Sequence, residues 1–168
     1  PGEAMLSVQL SIVVILLALG IAGAVGGPSW ATRLYGAAAL ACGAGAVSAL
    51  VFLIGRADAP ESLILPVGLP WLSAHLRIDA LAAWFIFVVN VAGAASSVFA
   101  IGYGSHNDEP ARVLPFFPVF LAAMNLVLVA DDAFAFLIAW EFMSLSSWLL
   151  VLSNHRRPGN ARAAQVYL

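Results

Sequence analysis

The sequence predicts an all-α protein, a polytopic transmembrane helix bundle with five complete spans and the start of a sixth. Hydrophobic residues make up 62% of the 168 residues and charged residues only 10%, against roughly 45–50% and about 25% in a soluble domain. The charges also cluster between long apolar runs, and a helix needs about 20 such residues to cross the hydrocarbon core. A bilayer is therefore the predicted solvent for most of the surface.

Five apolar runs justify the predicted helices in chain order. A sixth run begins at about residue 163 and is too short to span, so we expect residues 1–168 to form one N-terminal bundle of a longer protein. A secretory signal peptide is the competing interpretation of the first run, but no Lys or Arg precedes it and it is long enough to span. The five runs cover about residues 6–26, 34–54, 80–101, 113–130 and 133–152.

The connection over residues 55–78 is too long for a simple turn and carries three prolines. Its apolar stretch is too short to span, so we expect it to lie on the membrane surface, either as a short hairpin or as an interfacial helix. Nothing in it suggests catalysis. Two glycine pairs elsewhere, Gly23 with Gly27 and Gly43 with Gly45, predict close packing between neighbouring helices.

The distribution of arginines predicts the orientation, because cytoplasmic loops carry the excess of positive charge. With the N-terminus outside, five arginines fall in inner loops and two in outer loops. We therefore expect a multi-pass protein of the cell (inner) membrane with its N-terminus outside. The inner residues are Arg33, Arg112, Arg156, Arg157 and Arg162, and the outer ones are Arg56 and Arg77.

Composition also excludes several functions. The net charge of −2 leaves no basic stripe for a nucleic acid, and the single Cys42 excludes an internal disulfide or a multi-cysteine cluster. The three histidines, His75, His106 and His155, lie in loops without a second ligand at metal-binding spacing. We predict neither a metal site nor a bound cofactor, and no nucleophile stands beside a base.

One ionisable side chain, Glu141, lies inside a predicted span. If Asp132 caps that helix, Glu141 lies nine residues further, roughly 13–14 Å along the axis and close to the middle of the bilayer. An acidic group at that depth costs about 2.5–3.5 kcal/mol on insertion scales and usually faces a bundle interior or an aqueous path. Low dielectric disfavours the anion while nearby donors favour it, so Glu141 is the candidate for a proton relay. The alternative is a protonated strut that only joins helices.

Other polar residues supply weaker candidates. Ser144 follows Glu141 by three residues, which places its hydroxyl on the same side of the helix, and Ser147 lies one turn further. Asn125 and Asn90 lie deep in their spans and are candidates for a polar seam, although the sequence does not show which way they face. Three carboxylates at span ends, Asp79, Asp131 and Asp132, are helix caps first and a cation-attracting mouth second.

The segment from Leu128 to Leu149 resembles the fifth transmembrane helix of the antiporter-like membrane subunits. The specific part is the pair Trp140-Glu141, with Asp131-Asp132 ahead of it and Met143-Ser144-Leu145 after it. The family comprises the large membrane subunits of respiratory complex I, the Mrp-type antiporter subunits and the B component of hydrogenase-4 with its formate hydrogenlyase relatives. The hydrogenase-4 branch is the most similar, and the segment entering the third span, residues 69–85, also resembles it.

The resemblance implies a proton-translocating subunit of a complex I-like respiratory or hydrogenase complex, in which Glu141 relays protons. The implied partners are the lipid bilayer, other membrane subunits of a redox complex and protons, or sodium. In the family the glutamate is paired with a lysine on a later, broken helix, and this chain contains no lysine. The alternatives are a monovalent cation/proton antiporter subunit and a structural membrane subunit without transport; ion translocation, rather than catalysis, is the expected role within an oxidoreductase complex.

Overall fold

A computed structural model of the chain describes residues 4–55, 60–69, 72–103 and 113–152. The predicted start of a sixth span, together with His106, Arg112 and His155, lies outside these residues. In chain order the elements are α1 (Ala4–Gly26), a 3₁₀ turn (Pro28–Trp30), α2 (Ala31–Gly55), β1 (Glu61–Leu69), β2 (Leu72–Ile78), α3 (Ala80–Tyr103), α4 (Phe116–Val129) and α5 (Ala133–Leu152).

Four of the described helices are long and apolar enough to cross a membrane: α1, α2 extended by the 3₁₀ turn, α3 and α5. The predicted all-α membrane class is therefore confirmed, but the count of five complete spans is not. The predicted fourth span, residues 113–130, contains only the 14-residue α4, about 21 Å long at 1.5 Å per residue. It begins after Pro115, whose fixed φ suits a helix start, and it ends before Ala130, which is extended and bridges to Leu76 of β2.

The connection between α2 and α3 contains a β-hairpin, one of the two structures that the sequence allowed. Strands β1 and β2 pair antiparallel, with Glu61 opposite Ile78 and an irregularity in register between Leu65 and Gly68. The hairpin lies at the end of the bundle where α1 begins. There the Glu61 carboxylate accepts a hydrogen bond from the Leu6 N–H. It therefore covers one end of the helices.

Helices α1 to α4 enclose the core. Helix α1 contacts both α2 and α4, and α3 contacts the same two helices, whereas α5 packs mainly on α4 and also meets β2. Most of the interior is apolar, and its apolar side chains are fully or almost fully buried. They include Leu6 and Ile86 beneath the hairpin, Leu16, Cys42 and Ala122 in the middle, and Tyr35 and Leu114 at the far end.

Glycines allow two close approaches in this core. A Cβ at Gly23 would lie 2.8 Å from the carbonyl oxygen of Leu114, at the start of α4, and one at Gly45 would lie 2.8 Å from Oδ1 of Asn90. The other members of the two predicted pairs have different surroundings. Gly27 has a φ of +67° and follows the end of α1, and a Cβ added to Gly27 or to Gly43 would have no described neighbour within 4 Å.

Candidate functional site

Glu141 lies in the middle of α5, on the surface that the described residues leave open. It is the ninth residue of a helix that begins at Ala133, and its side chain is exposed. Leu137 and Ile138, one turn earlier on the same side of the helix, are also exposed, at 58% and 54%. The structure thus places the predicted relay residue on an apolar face of α5 that points away from α4.

The serines that follow Glu141 hydrogen-bond within their own helix. Ser147 Oγ donates to the carbonyl oxygen of Ser144 at 3.3 Å, and Ser146 Oγ donates to that of Met143 at 2.9 Å. Ser146 is buried, whereas Ser144 and Ser147 are half-buried. Ser144 therefore lies between the contact face of α5 and the face that carries Glu141.

Asn90 and Asn125 meet inside the bundle, on facing sides of α3 and α4. Asn90 Nδ2 donates to Asn125 Oδ1 at 2.7 Å, and both side chains are at most 1% exposed. Each amide also donates to its own helix, Asn90 to the carbonyl of Ile86 and Asn125 to that of Leu121. The structure thus gives the facing that the sequence did not show: both amides point into the interior formed by α1 to α4.

A third buried amide, Gln9 of α1, extends this polar region towards α2. Its Nε2 donates to the carbonyl oxygen of Gly45 at 3.2 Å and to Ser48 Oγ at 3.1 Å. Gly45 is also the residue against which the Asn90 amide packs. The side chains Gln9, Ser48, Asn90 and Asn125, drawn from four helices, are called the amide cluster below.

The carboxylates at the helix starts are occupied by hydrogen bonds and ion pairs. Asp79 Oδ1 accepts from the N–H of Ala82 at 2.9 Å, and Asp132 Oδ1 accepts from that of Ala135 at 2.8 Å, which is the geometry of N-caps. Asp131 instead lies 3.8 Å from Arg77. Asp79 and Asp132 therefore accept hydrogen bonds from free N–H groups at helix starts, and Asp131 forms an ion pair with Arg77 of β2.

Asp132 also joins α5 to the hairpin. The His75 N–H donates to Asp132 Oδ2 at 2.6 Å, while the Asp131 N–H donates to the His75 carbonyl at 2.9 Å. The backbone N–H of His75, followed by those of Ala135 and Phe134 and the weaker influence of the His75 charge, lowers the pKa of Asp132 below its usual range. The turn before α5 is thus fastened to β2 by a carboxylate held in its ionised form.

Glu61 is a buried carboxylate that the sequence does not single out. Its side chain is 5% exposed, and its Oε2 accepts from the Leu6 N–H at 2.9 Å, in the first turn of α1, where an anion is favoured by the helix dipole. It borders a cavity of about 320 Å³ between α1 and α2, lined also by Ser48 and by apolar side chains such as Met5 and Phe52. The only signal in the sequence is one of several charges in a connecting segment, which is too common to indicate a site.

No family model matches the chain, but curated relatives do. NADH-quinone oxidoreductase subunit L of Mycobacterium tuberculosis is 32% identical over 166 residues, covering 90% of this chain and 26% of that protein. Hydrogenase-4 component B of Escherichia coli is 36% identical over 81 residues, covering 47% and 12%. The putative antiporter subunit mnhA2 of Staphylococcus aureus is 26% identical over 111 residues, covering 62% and 14%.

These relatives confirm the predicted resemblance. The chain is a homologue of the antiporter-like membrane subunits found in complex I-like complexes, in hydrogenase-4 and in Mnh antiporters. Its apolar helices and these relatives together make it part of a multi-pass membrane protein. The chain spans about a quarter of the length of the mycobacterial relative.

Proposed function

We propose that this chain forms part of a proton-translocating membrane subunit of a complex I-like respiratory or hydrogenase complex, in which Glu141 relays protons. The observation that supports this function is the placement of Glu141 at mid-length in α5. It is the only charged residue beyond the first turn of any described helix, since the other helical charge, Arg33, lies at the start of α2.

The surroundings of Glu141 imply a further segment. An acidic side chain facing lipid at mid-membrane is costly, so such residues normally face a bundle interior or a water-filled path. Within the described residues, the face of α5 that carries Glu141 is open. We therefore propose that another part of the longer protein, or a neighbouring subunit, covers this face and supplies the groups that exchange protons with the carboxylate. The lysine expected from the family resemblance would be one such group.

The orientation is part of the same proposal. With the N-terminus of α1 outside, as the arginine distribution favours, the hairpin and the Asp131–Asp132 turn lie on the outer side of the inner membrane. Arg33 and the end of α1 then lie on the inner side. Ser144 and Ser147 follow Glu141 towards the inner side, three and six residues further along the helix.

Replacing the carboxylate in the full-length subunit within its native complex tests the relay. Glu141→Gln keeps the size of the side chain and removes the titratable group. We expect proton uptake into inverted membrane vesicles, measured by a pH-sensitive dye per electron transferred, to fall to a small fraction of the wild-type value. The matched control is Glu61→Gln, the same chemical change in a buried carboxylate of the hairpin, which should pump normally once assembled.

A variant Glu141→Gln that assembles and pumps at the wild-type ratio would contradict the relay and favour the structural role. Sodium transport is the second candidate function, because one relative is named as a putative antiporter subunit. The same vesicles distinguish it: antiport predicts that sodium addition releases protons without a redox donor, whereas a redox-driven pump predicts no response to sodium alone. Both activities would depend on Glu141.

A further inference from the structure

The amide cluster contains two buried oxygen atoms that lack a hydrogen-bond donor among the described residues: Oε1 of Gln9 and Oδ1 of Asn90. The two side chains are 1% and 0% exposed. A buried carbonyl oxygen without a donor is destabilising, and most such atoms in folded proteins are paired with protein or with ordered water. Two such oxygen atoms in one cluster indicate that the cluster lacks hydrogen-bond donors, and this lack requires an explanation.

The shortage follows from the groups that meet there. Both hydrogens of the Gln9 amide are used on Gly45 and Ser48, and the Ser48 hydroxyl donates to the Gly45 carbonyl at 2.9 Å. Both hydrogens of the Asn90 amide are used on Ile86 and Asn125. Gly45 faces Asn90 without a side chain, and the backbone N–H groups of a helix interior are engaged within the helix.

We propose that the amide cluster is a binding site for internal water, which donates to Oε1 of Gln9 and to Oδ1 of Asn90. Water is small, neutral and able to donate two hydrogen bonds, which matches a neutral site with two free acceptors. A cation would match the free oxygens as well, but the cluster contains no anionic side chain to offset its charge. The site therefore favours a neutral donor.

Ser48 connects the amide cluster to a cavity at the hairpin end of the bundle. Ser48, which accepts a hydrogen bond from Gln9, lines the cavity of about 320 Å³ that Glu61 borders at the hairpin end of α1 and α2. Within the cluster, Ser48 is the side chain that lines this cavity. The cluster lies inside α1 to α4 and is separate from the face of α5 that carries Glu141, so the proposal does not depend on the proposed relay.

Proton-detected solid-state NMR of the full-length protein in lipid bilayers tests the proposal. With Gln and Asn side chains labelled, magnetisation transfer from water should reach Nε2 of Gln9 and Nδ2 of Asn90, although both are shielded from the bulk solvent. The variants Gln9→Leu and Asn90→Leu assign the two signals by their loss. Ser97→Ala is the control, because Ser97 is equally buried on α3 but donates to the Gly93 carbonyl of its own helix.

Two results would overturn the proposal, and both are read from the assigned Gln9 and Asn90 signals of the wild-type protein. Absence of water transfer at Asn90, under conditions where surface Asn side chains show it, would establish a dry cluster. A shift of the Gln9 and Asn90 signals when sodium is replaced by choline, without water transfer, would establish a cation site. Transfer at both amides, insensitive to sodium and retained in Ser97→Ala, is the expected result.

Discussion

Helices α1 to α4 and helix α5 are all strongly apolar, yet they are held in the molecule in different ways. The first four surround a shared interior in which Leu16, Ala122 and the amide cluster are almost completely buried. Helix α5 buries only Ala139 and Ser146 and is held along α4 and at its first turn. Its exposed side carries Leu137, Trp140 and Glu141.

The difference separates polar groups that join helices from the carboxylate that the proposed function uses. In α1 to α4, the polar groups are amides and hydroxyls that hydrogen-bond one another between helices, which is how membrane helices associate without a hydrophobic driving force. In α5, the charged group is a carboxylate on an open face, and no described hydrogen bond joins it to another helix. We infer that the four-helix part is the scaffold and that α5 presents the reactive group.

Enlarging a side chain inside the scaffold tests the packing of α1 against α4. Gly23→Ala would place a Cβ 2.8 Å from a backbone oxygen of Leu114, which cannot move aside as a flexible side chain can. Overpacking typically costs about 1–3 kcal/mol, more than the roughly 1 kcal/mol that Ala gains over Gly in a helix. After that gain is subtracted, we expect a net loss of at most about 2 kcal/mol, measured by unfolding of the full-length protein in detergent.

Gly43→Ala is the matched control, because its Cβ would have no neighbour within 4 Å and the helix propensity alone predicts a small gain. Equal effects of the two substitutions would show that the start of α4 does not rest on α1. That outcome would contradict the packing described for α1 and α4.

The second prediction sharpens the account of the open face of α5. Leu137 lies one turn before Glu141, and we propose that this face is covered in the complete protein. Leu137→Ala should then destabilise the full-length protein by about 1 kcal/mol, at or below the lower end of the range for buried leucines. Val14→Ala on α1, where the side chain is 64% exposed and is expected to face lipid, should change the free energy of unfolding much less.

If Leu137→Ala is as neutral as Val14→Ala, the face beside Glu141 is open to lipid in the whole protein. The proposed covering segment would then be wrong, although the measured role of the carboxylate in proton uptake would be unaffected. A larger loss at Leu137 than at Val14 would support coverage of this face without identifying the segment that covers it.

Much of this architecture could be predicted from the sequence because lipid requires long apolar helices, and the charges between them show where the helices end. Helix α4 is shorter than the predicted fourth span, residues 113–130, because it begins only after Pro115 and because Ala130 is extended and pairs with Leu76. Composition shows neither of these helix ends. The hairpin remained one of two alternatives, since an apolar, proline-containing segment of that length is compatible with both.

The amide cluster could be predicted only in part. Asn90 and Asn125 stand out because each is a polar residue deep in an apolar run, but their pairing depends on the rotation of α3 against α4. Gln9 is only an interruption near the start of an apolar run, since its burial depends on Ser48 and Gly45 from another helix. The sequence of one span shows that a polar side chain lies within the membrane. It does not show which side chain of another helix forms a hydrogen bond with it.

The smallest expected effect concerns the point where α5 is fastened to the rest of the molecule. Because hydrogen bonds from His75 and Ala135 lower the pKa of Asp132, the ionised carboxylate stabilises the folded state at pH values above the unfolded pKa, about 3.9 for aspartate. That contribution is lost as the pH falls through the lower folded pKa. Asp132→Asn should therefore lower the melting temperature of the full-length protein at neutral pH, and by less than Gly23→Ala. The difference from wild type should shrink only in strong acid.

Asp131→Asn, which removes an exposed pairing with Arg77, should have almost no effect at any pH. If the two aspartates behaved alike, the hairpin would not be what holds the start of α5, and contact with α4 alone would have to position the helix that carries Glu141.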